Sequence, residues 1–199
     1  LPSVEIVPPA ENNFFDYNRF YKCMLYYQID GPKPRYSLFM PETQKLDSTK
    51  KIVEIVSYCL MPNHFHFLLR QVTGGGITEF ISKLSNSYTK YYNVKHRRIG
   101  PLLQGDFKSV HIESNEQLIH LSRCVHLNPI VGYVTRDLET YRWSSYLEYI
   151  TTQEKNVYDK DVVLNQFQSK EGYRKFVKDH IDYADRLEQL KHLLFDLEE

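Results

Sequence analysis

The stretch "KIVEIVSYCLMPNHFHFLLRQ", residues 51–71, limits the fold more than any other part of the chain. Two apolar runs rich in β-branched and aromatic residues flank a three-residue turn built on Pro62 and Asn63. Runs of this length and composition, closed by such a turn, form an antiparallel hairpin. The expected strands are 51–60 and 64–71. Side chains alternate faces along a strand, so His64 and His66 share one face while Phe65 and Phe67 share the other. Two imidazoles on one face of a rigid strand are half of a metal site. The competing reading is a pair of core histidines hydrogen-bonded to backbone.

The remaining elements follow from periodicity. Residues 15–29 carry Phe20, Met24 and Tyr27 at helical spacing, with Asp16 as the expected cap. Residues 30–50 hold Gly31, Pro32, Pro34 and Pro41 and read as a loop. After Gly74, Gly75 and Gly76, a second helix places Ile77, Phe80, Ile81, Leu84, Tyr88, Tyr91 and Tyr92 on one stripe. "FKSVHI" (107–112) reads as a strand, and a third helix runs from Asn115 to about Leu127, where Pro129 is expected to stop it. "SVEIV" (3–7) supplies a first strand. The order β-α-β-β-α-β predicts an α+β fold, a ferredoxin-like antiparallel sheet with helices on one face. Residues 1–150 would form this domain and residues 151–199 a C-terminal helical extension. That extension is amphipathic from about Lys170 to Leu197 and could mediate a homodimer contact, although packing on its own domain is simpler.

Net charge is zero, with 25 basic and 25 acidic residues, but its distribution is uneven. Lys83, Lys90, Lys95, Arg97, Arg98 and Lys108 fall in 26 residues whose only acid is Asp106. Such a cluster is either a polyanion-binding face or a solvated helix surface. No leader-like segment or long apolar run is apparent, and the three cysteines are widely spaced, so a cytoplasmic protein with reduced thiols and no membrane partner is expected.

On the third helix His120, Cys124 and Asn128 recur every four residues, beside Leu118, Leu121 and Val125. Packed on the sheet, this helix could bring Asn128 to His64 and His66. Two imidazoles and an amide suit Mg²⁺ or Mn²⁺, and no cysteine pair with zinc spacing is present.

"YCLMPNHFHFLLRQ" resembles the histidine-hydrophobic-histidine motif of HUH-type single-strand DNA transposases, specifically the REP-associated tyrosine transposase group with its IS200-like domain. "KLSNSYTKYYN", "GPLLQGDFKSVHI", "LIHLSRCVHLNPIVGYV" and "YRWSSY" resemble the same group in order and spacing, over roughly residues 50–150. The resemblance implies a ferredoxin-like fold, a divalent cation on His64 and His66 with Asn128 nearby, and single-stranded, hairpin-forming DNA as partner. It also implies cleavage by a tyrosine that forms a 5′-phosphotyrosine link. That tyrosine lies four residues before the asparagine in the family, where this chain has Cys124. A thiol is roughly 4 Å shorter in reach than a phenol, by ordinary bond lengths, and soft sulfur suits phosphorus poorly. Asp106 stands where the family usually has a basic residue, and the family's first-strand ending is not recognisable. The expectation is therefore a transposase-like protein that has lost cutting, or a non-cleaving DNA-binding protein descended from one. An unrelated metal-dependent hydrolase would need an acid near the histidines, for which the hairpin offers Glu54. Tyr88, Tyr91 and Tyr92 are expected to pack rather than react, Trp143 to anchor the core, and Cys23 and Cys59 to be buried.

Overall fold

The computed structural model describes residues 4–6, 14–104, 107, 109–152 and 158–181. Strands β1 (Val4–Ile6), β2 (Val53–Leu60), β3 (His64–Gln71) and β4 (Leu103–Gln104) form one sheet in the order β2-β3-β1-β4. With helices α1 (Phe14–Tyr27) and α2 (Gly76–Lys95), the chain order through β4 is β-α-β-β-α-β, as the sequence predicts. β1 is antiparallel to β3, with Val4 opposite Phe65 and Glu5 opposite His64. It is also antiparallel to β4, with Glu5 opposite Gln104. The helices that follow are α3 (Asn115–Val131), α4 (Tyr146–Ile150), α5 (Asp161–Leu164) and α6 (Lys170–Lys178). The expected amphipathic segment is thus helical from Lys170 to Lys178, and its part beyond residue 181 lies outside the described residues. Among the described residues no helix is long and apolar enough to cross a membrane.

Two expectations are corrected. The last strand of the sheet is Leu103–Gln104, and the described residues of "FKSVHI" are not strand. Pro129 does not stop α3, which continues to Val131. Proline at 129 removes the N–H that would meet the Val125 carbonyl. The side-chain Nδ2 of Asn128 donates to that carbonyl instead (3.3 Å) and to the Cys124 carbonyl (2.9 Å). An asparagine before the proline thereby repairs the break. At the start of the helix the Ser114 hydroxyl accepts from the Gln117 N–H (3.1 Å), while the Gln117 side chain accepts from the Glu113 N–H (2.9 Å). This is a capping box in all but one residue of register.

The chain divides into two compact units, one formed by residues 1–55, 62–65 and 69–109, the other by 56–61, 66–68 and 110–199. In the first, α1 packs on α2, and the Phe20 ring meets Phe65 (5.1 Å between centroids) and Tyr88 (4.9 Å). Phe80, Leu84, Tyr88 and Tyr92 are all buried, so the apolar stripe of α2 is core. Cys23 is fully buried beside them. Asp16 is in the first turn of α1 rather than capping it. It is buried, and it accepts hydrogen bonds from Lys95 (2.7 Å), Tyr91 (2.9 Å) and His96 (2.9 Å). Burial pushes its carboxyl upward, yet the three donors outweigh this and hold it below the usual range. The glycine run before α2 also has a local reason. Gly75 adopts φ +73°, and a Cβ on Gly76 would lie 2.3 Å from the Ile52 carbonyl oxygen. That same oxygen accepts from Val72 and Thr73 N–H, which lock the end of the hairpin to its beginning.

The second unit is organised on β2, the edge strand. Nearly every residue of β2 is buried, so its outward-facing backbone groups have no water to bond. The segment "YRWSSY" and α4 supply partners. Tyr58 N–H donates to the Ser145 hydroxyl (3.0 Å), and Ser145 N–H donates to the Tyr58 carbonyl (3.0 Å). Leu60 N–H donates to the Trp143 carbonyl (2.9 Å), the Tyr141 hydroxyl donates to the Leu60 carbonyl, and the Tyr149 hydroxyl to that of Val56 (2.8 Å). Trp143 packs partly buried against Cys59, Met61, Val125 and Tyr141, as a core anchor should.

His126 connects the elements of this unit. It is fully buried, with Nδ1 2.7 Å from the Tyr173 hydroxyl and Nε2 2.8 Å from the Ser145 hydroxyl. The Tyr173 hydroxyl donates onward to Ser122 (3.1 Å), which donates to the Ile119 carbonyl (2.8 Å). The direction of that chain requires Nδ1–H to donate to Tyr173 and Nε2 to accept from Ser145. One neutral tautomer satisfies every member, and burial lowers the pKa of His126 to about 3.

Two outcomes follow from this packing. Above about pH 6.5 His126 is neutral whether the chain is folded or not; below it the unfolded chain takes up a proton that the folded one refuses until about pH 3. Stability should therefore fall with acidification across this window, by up to roughly 1.4 kcal/mol per pH unit. In His126→Gln the difference between melts at pH 7 and pH 4.5 should shrink, and an undiminished difference would contradict the neutral buried imidazole. Gly76→Ala should cost about 1–3 kcal/mol in urea unfolding, because the clash is with backbone and cannot be relieved by a rotamer.

Candidate functional site

His64 opens β3 immediately after Asn63, and its Nδ1 lies 2.6 Å from Asn63 Oδ1. A carboxamide oxygen only accepts, so Nδ1 carries the proton and Nε2 carries the lone pair. This is how metal-binding histidines are oriented, with one ring nitrogen held by an acceptor and the other presented as ligand. His64 is half-buried, whereas His66, two residues along the same strand face, is 6 % exposed. Phe65 points to the opposite face, where it meets Phe20. Among the described residues no group of three His, Cys, Asp or Glu side chains is arranged to hold a cation, so a third ligand of those types is not at hand. Glu54, the acid that a hydrolase would require, is ion-paired with Arg70 across the hairpin. That engagement removes the main support for the hydrolase reading.

Cys124 and Asn128 lie one turn apart on α3 and are joined through the helix, since the Asn128 amide donates to the Cys124 carbonyl. This bond fixes the amide so that Oδ1 is its remaining polar atom. Cys124 is half-buried, and the neighbouring Arg123 stacks over Phe176 (4.3 Å) while donating to His120 Nδ1 (2.8 Å). His120 is therefore engaged locally. The nearby Tyr173 hydroxyl belongs to the His126 chain, and burial pushes its pKa far up, so it is no substitute nucleophile. Tyr88 and Tyr92 are core, and Tyr91 is bonded to Asp16.

The basic residues of α2 divide by environment. Lys83 pairs with Glu79 one turn before it, and Lys95 pairs with Asp16. Arg98 sits 5.8 Å from the Tyr92 ring centroid, and Arg97 adopts φ +53° in the turn after the helix. Lys108 lies outside the described residues. Lys83, Lys90 and Lys95 line a cavity of about 790 Å³ together with Arg19, Lys33 and Arg35. Sequence reading missed these last three, because they are scattered over α1 and a proline-rich loop rather than clustered in the chain. It also missed Asn63, although a side-chain acceptor just before a strand histidine is a legible signal.

Residues 39–117 match the family model described as "Transposase IS200 like". The matched residues include both histidines and the basic stretch but end before Cys124 and Asn128. No curated protein matches the chain. One solved structure, described as a REP-associated tyrosine transposase bound to a REP hairpin, superimposes with a TM-score of 0.57 at 12% identity, covering 80% of this chain and 81% of the other. At that identity the likeness is one of fold. The chain thus carries a segment that matches the IS200-like transposase family model, on a fold similar to that of a REP-associated tyrosine transposase.

Proposed function

We propose that this protein binds hairpin-forming, single-stranded DNA and holds a divalent cation on His64 and His66, but does not cut. The observation that carries this reading is the presentation of His64 Nε2, fixed by Asn63, within the segment that matches IS200-like transposases. The fold likeness to a transposase whose structure contains a REP hairpin supports hairpin DNA as partner. In this reading residues 1–150 carry the transposase-like function and residues 151–199 extend it.

His64 and His66 supply two nitrogen ligands from one strand face, and Asn128 Oδ1 is the third candidate. Mg²⁺ or Mn²⁺ held there would polarise a phosphate and tolerate water in its open positions. Lys83, Lys90, Arg97 and Arg98 would contact phosphates, as would Lys108, with Lys95 partly offset by Asp16. At residue 124 the family's chemistry needs a hydroxyl that reaches the phosphorus. The Cys124 thiol stops roughly 4 Å short of where a phenol would end. Closing such a gap would require displacing α3, whose Val125, Leu127 and Ile130 are buried in close-packed core.

Titration calorimetry with Mn²⁺ should show one site per chain, weakened at least tenfold in His64→Ala. Equal affinity in the two proteins would remove the histidines from the site. On a denaturing gel, a labelled hairpin oligonucleotide with Mn²⁺ should not become linked to this protein, while Cys124→Tyr should yield some adduct. A linkage formed by the unaltered chain and abolished by Cys124→Ser would instead make the thiol a nucleophile.

A further inference from the structure

The cavity beside α1 and α2 concentrates positive charge in a way that the assigned residues of α2 do not explain. Its lining includes Arg19 from α1, Lys33 and Arg35 from the loop 30–50, and Lys83, Lys90 and Lys95 from α2, and it contains no carboxylate. Two of the six have partners, since Lys83 pairs with Glu79 and Lys95 with Asp16. Among the described residues Arg19, Lys33, Arg35 and Lys90 are in no ion pair. Ser37, Asn86 and Ser87 add neutral polar groups to the wall.

The loop that delivers Lys33 and Arg35 is held in place. Tyr26 donates its hydroxyl proton to the Pro34 carbonyl (2.7 Å), and Tyr36 N–H donates to the Tyr27 hydroxyl (3.1 Å). Lys33 donates to the carbonyls of Tyr26 (3.1 Å) and Ile29, at the end of α1. The Arg19 guanidinium carbon lies over two rings, 4.3 Å from the Tyr36 centroid and 5.0 Å from that of Tyr91. These cations are positioned before any ligand arrives. Burial and the charge of Lys83 lower the Lys33 pKa to about 8, although Asp30 and Glu79 pull the other way. A recess in which six cations outnumber the carboxylates that pair with them carries a net positive field suited to an anion.

The spacing argues for a strand rather than a single anion. Lys83 and Lys90 share one stripe of α2, and from Lys83 to Lys95 the helix rises about 18 Å. That length would accommodate several successive phosphates. Resting on the hairpin-binding reading above, we propose that the cavity seats the phosphodiester backbone of a single-stranded segment continuous with the hairpin, with Arg19, Lys33 and Arg35 as phosphate contacts.

The test compares three probes: a blunt DNA hairpin, the same hairpin with a 12-nucleotide single-stranded flank, and a 12-mer oligothymidylate. Each is titrated at several salt concentrations with the unaltered protein, with Arg35→Glu, and with Arg35→Glu combined with Lys33→Gln. Arg35 is exposed, so its substitution leaves the core intact, and thermal melts verify folding of the double variant. The flanked hairpin and the oligothymidylate should bind the double variant at least tenfold more weakly. Their salt slope should fall by about 1.4, for two lost single-strand phosphate contacts. The blunt hairpin should be unaffected. Unchanged affinity and salt slope for both single-stranded probes would overturn the cavity site while leaving hairpin binding intact. Binding of oligothymidylate through the cavity without any binding of the blunt hairpin would uphold the site and overturn the hairpin reading. Failure of the unaltered protein to bind any probe would overturn both.

Discussion

A buried edge strand cannot leave its outer backbone groups bare, and β2 is such a strand. Each unsatisfied buried N–H or C=O would cost about 1–3 kcal/mol. Five of these groups, on Val56, Tyr58 and Leu60, are met by Tyr141, Trp143, Ser145 and Tyr149. The requirement reaches further than the strand. Ser145 can serve β2 only if its hydroxyl is held, and His126 Nε2 holds it. His126 in turn is oriented by Tyr173 of α6, so the position of α6 depends on the accounting of hydrogen bonds at β2. Non-polar packing alone would allow these helices to slide. The polar chain fixes their register, since half-satisfied buried networks are costly.

The same logic separates what was legible in the sequence from what was not. The hairpin, α1 and α2 were readable because each has a strong period, or a turn residue whose geometry permits little else, whereas the brief first strand, crowded by Pro2, Pro8 and Pro9, has neither. The apolar stripe of α2 also gave the correct role for Tyr88 and Tyr92. Pro129 by itself predicts an end to α3 that its neighbour Asn128 prevents. The remedy is local, one side-chain amide filling the vacancy at the Val125 carbonyl, but it depends on a rotamer that no pattern reveals. The strand expected at 107–112 failed for another reason. β-branched composition describes a residue's fitness for a pleated surface, and pairing is decided by which segment reaches the free edge of β1. Leu103 and Gln104 reach it.

No pattern in the sequence marks His126, although it is fully buried and bonded through both ring nitrogens. Its neighbours in sequence are Val125 and Leu127, and nothing in "RCVHLNP" distinguishes a satisfied core histidine from a ligand. The local sequence likewise offers Asp16 only as a helix cap. Its actual partners, Lys95 and His96, lie some eighty positions away, so only the fold could bring them together. Arg19, Lys33 and Arg35 share that property. Charge clusters formed in space rather than along the chain are invisible to a sequence window.

The segments that resemble the transposase group accordingly carry unequal weight for function. "YRWSSY" is explained by the hydrogen-bonding needs of β2, and "LNP" in large part by the continuity of α3 past its proline. A chain with this fold would need such groups whether or not it touched DNA. The His64 side chain is different. It opens its strand, stays half-buried, and is turned by Asn63 so that Nε2 faces away from its own hydrogen bond. Cys124 is the converse case: a half-buried position on α3 where neither the His126 chain nor the repair of Pro129 depends on the side chain present. No hydrogen bond of the second unit's core runs through the side chain at 124, so under the proposed reading a change of residue there would remove cutting and leave the rest of the architecture in place.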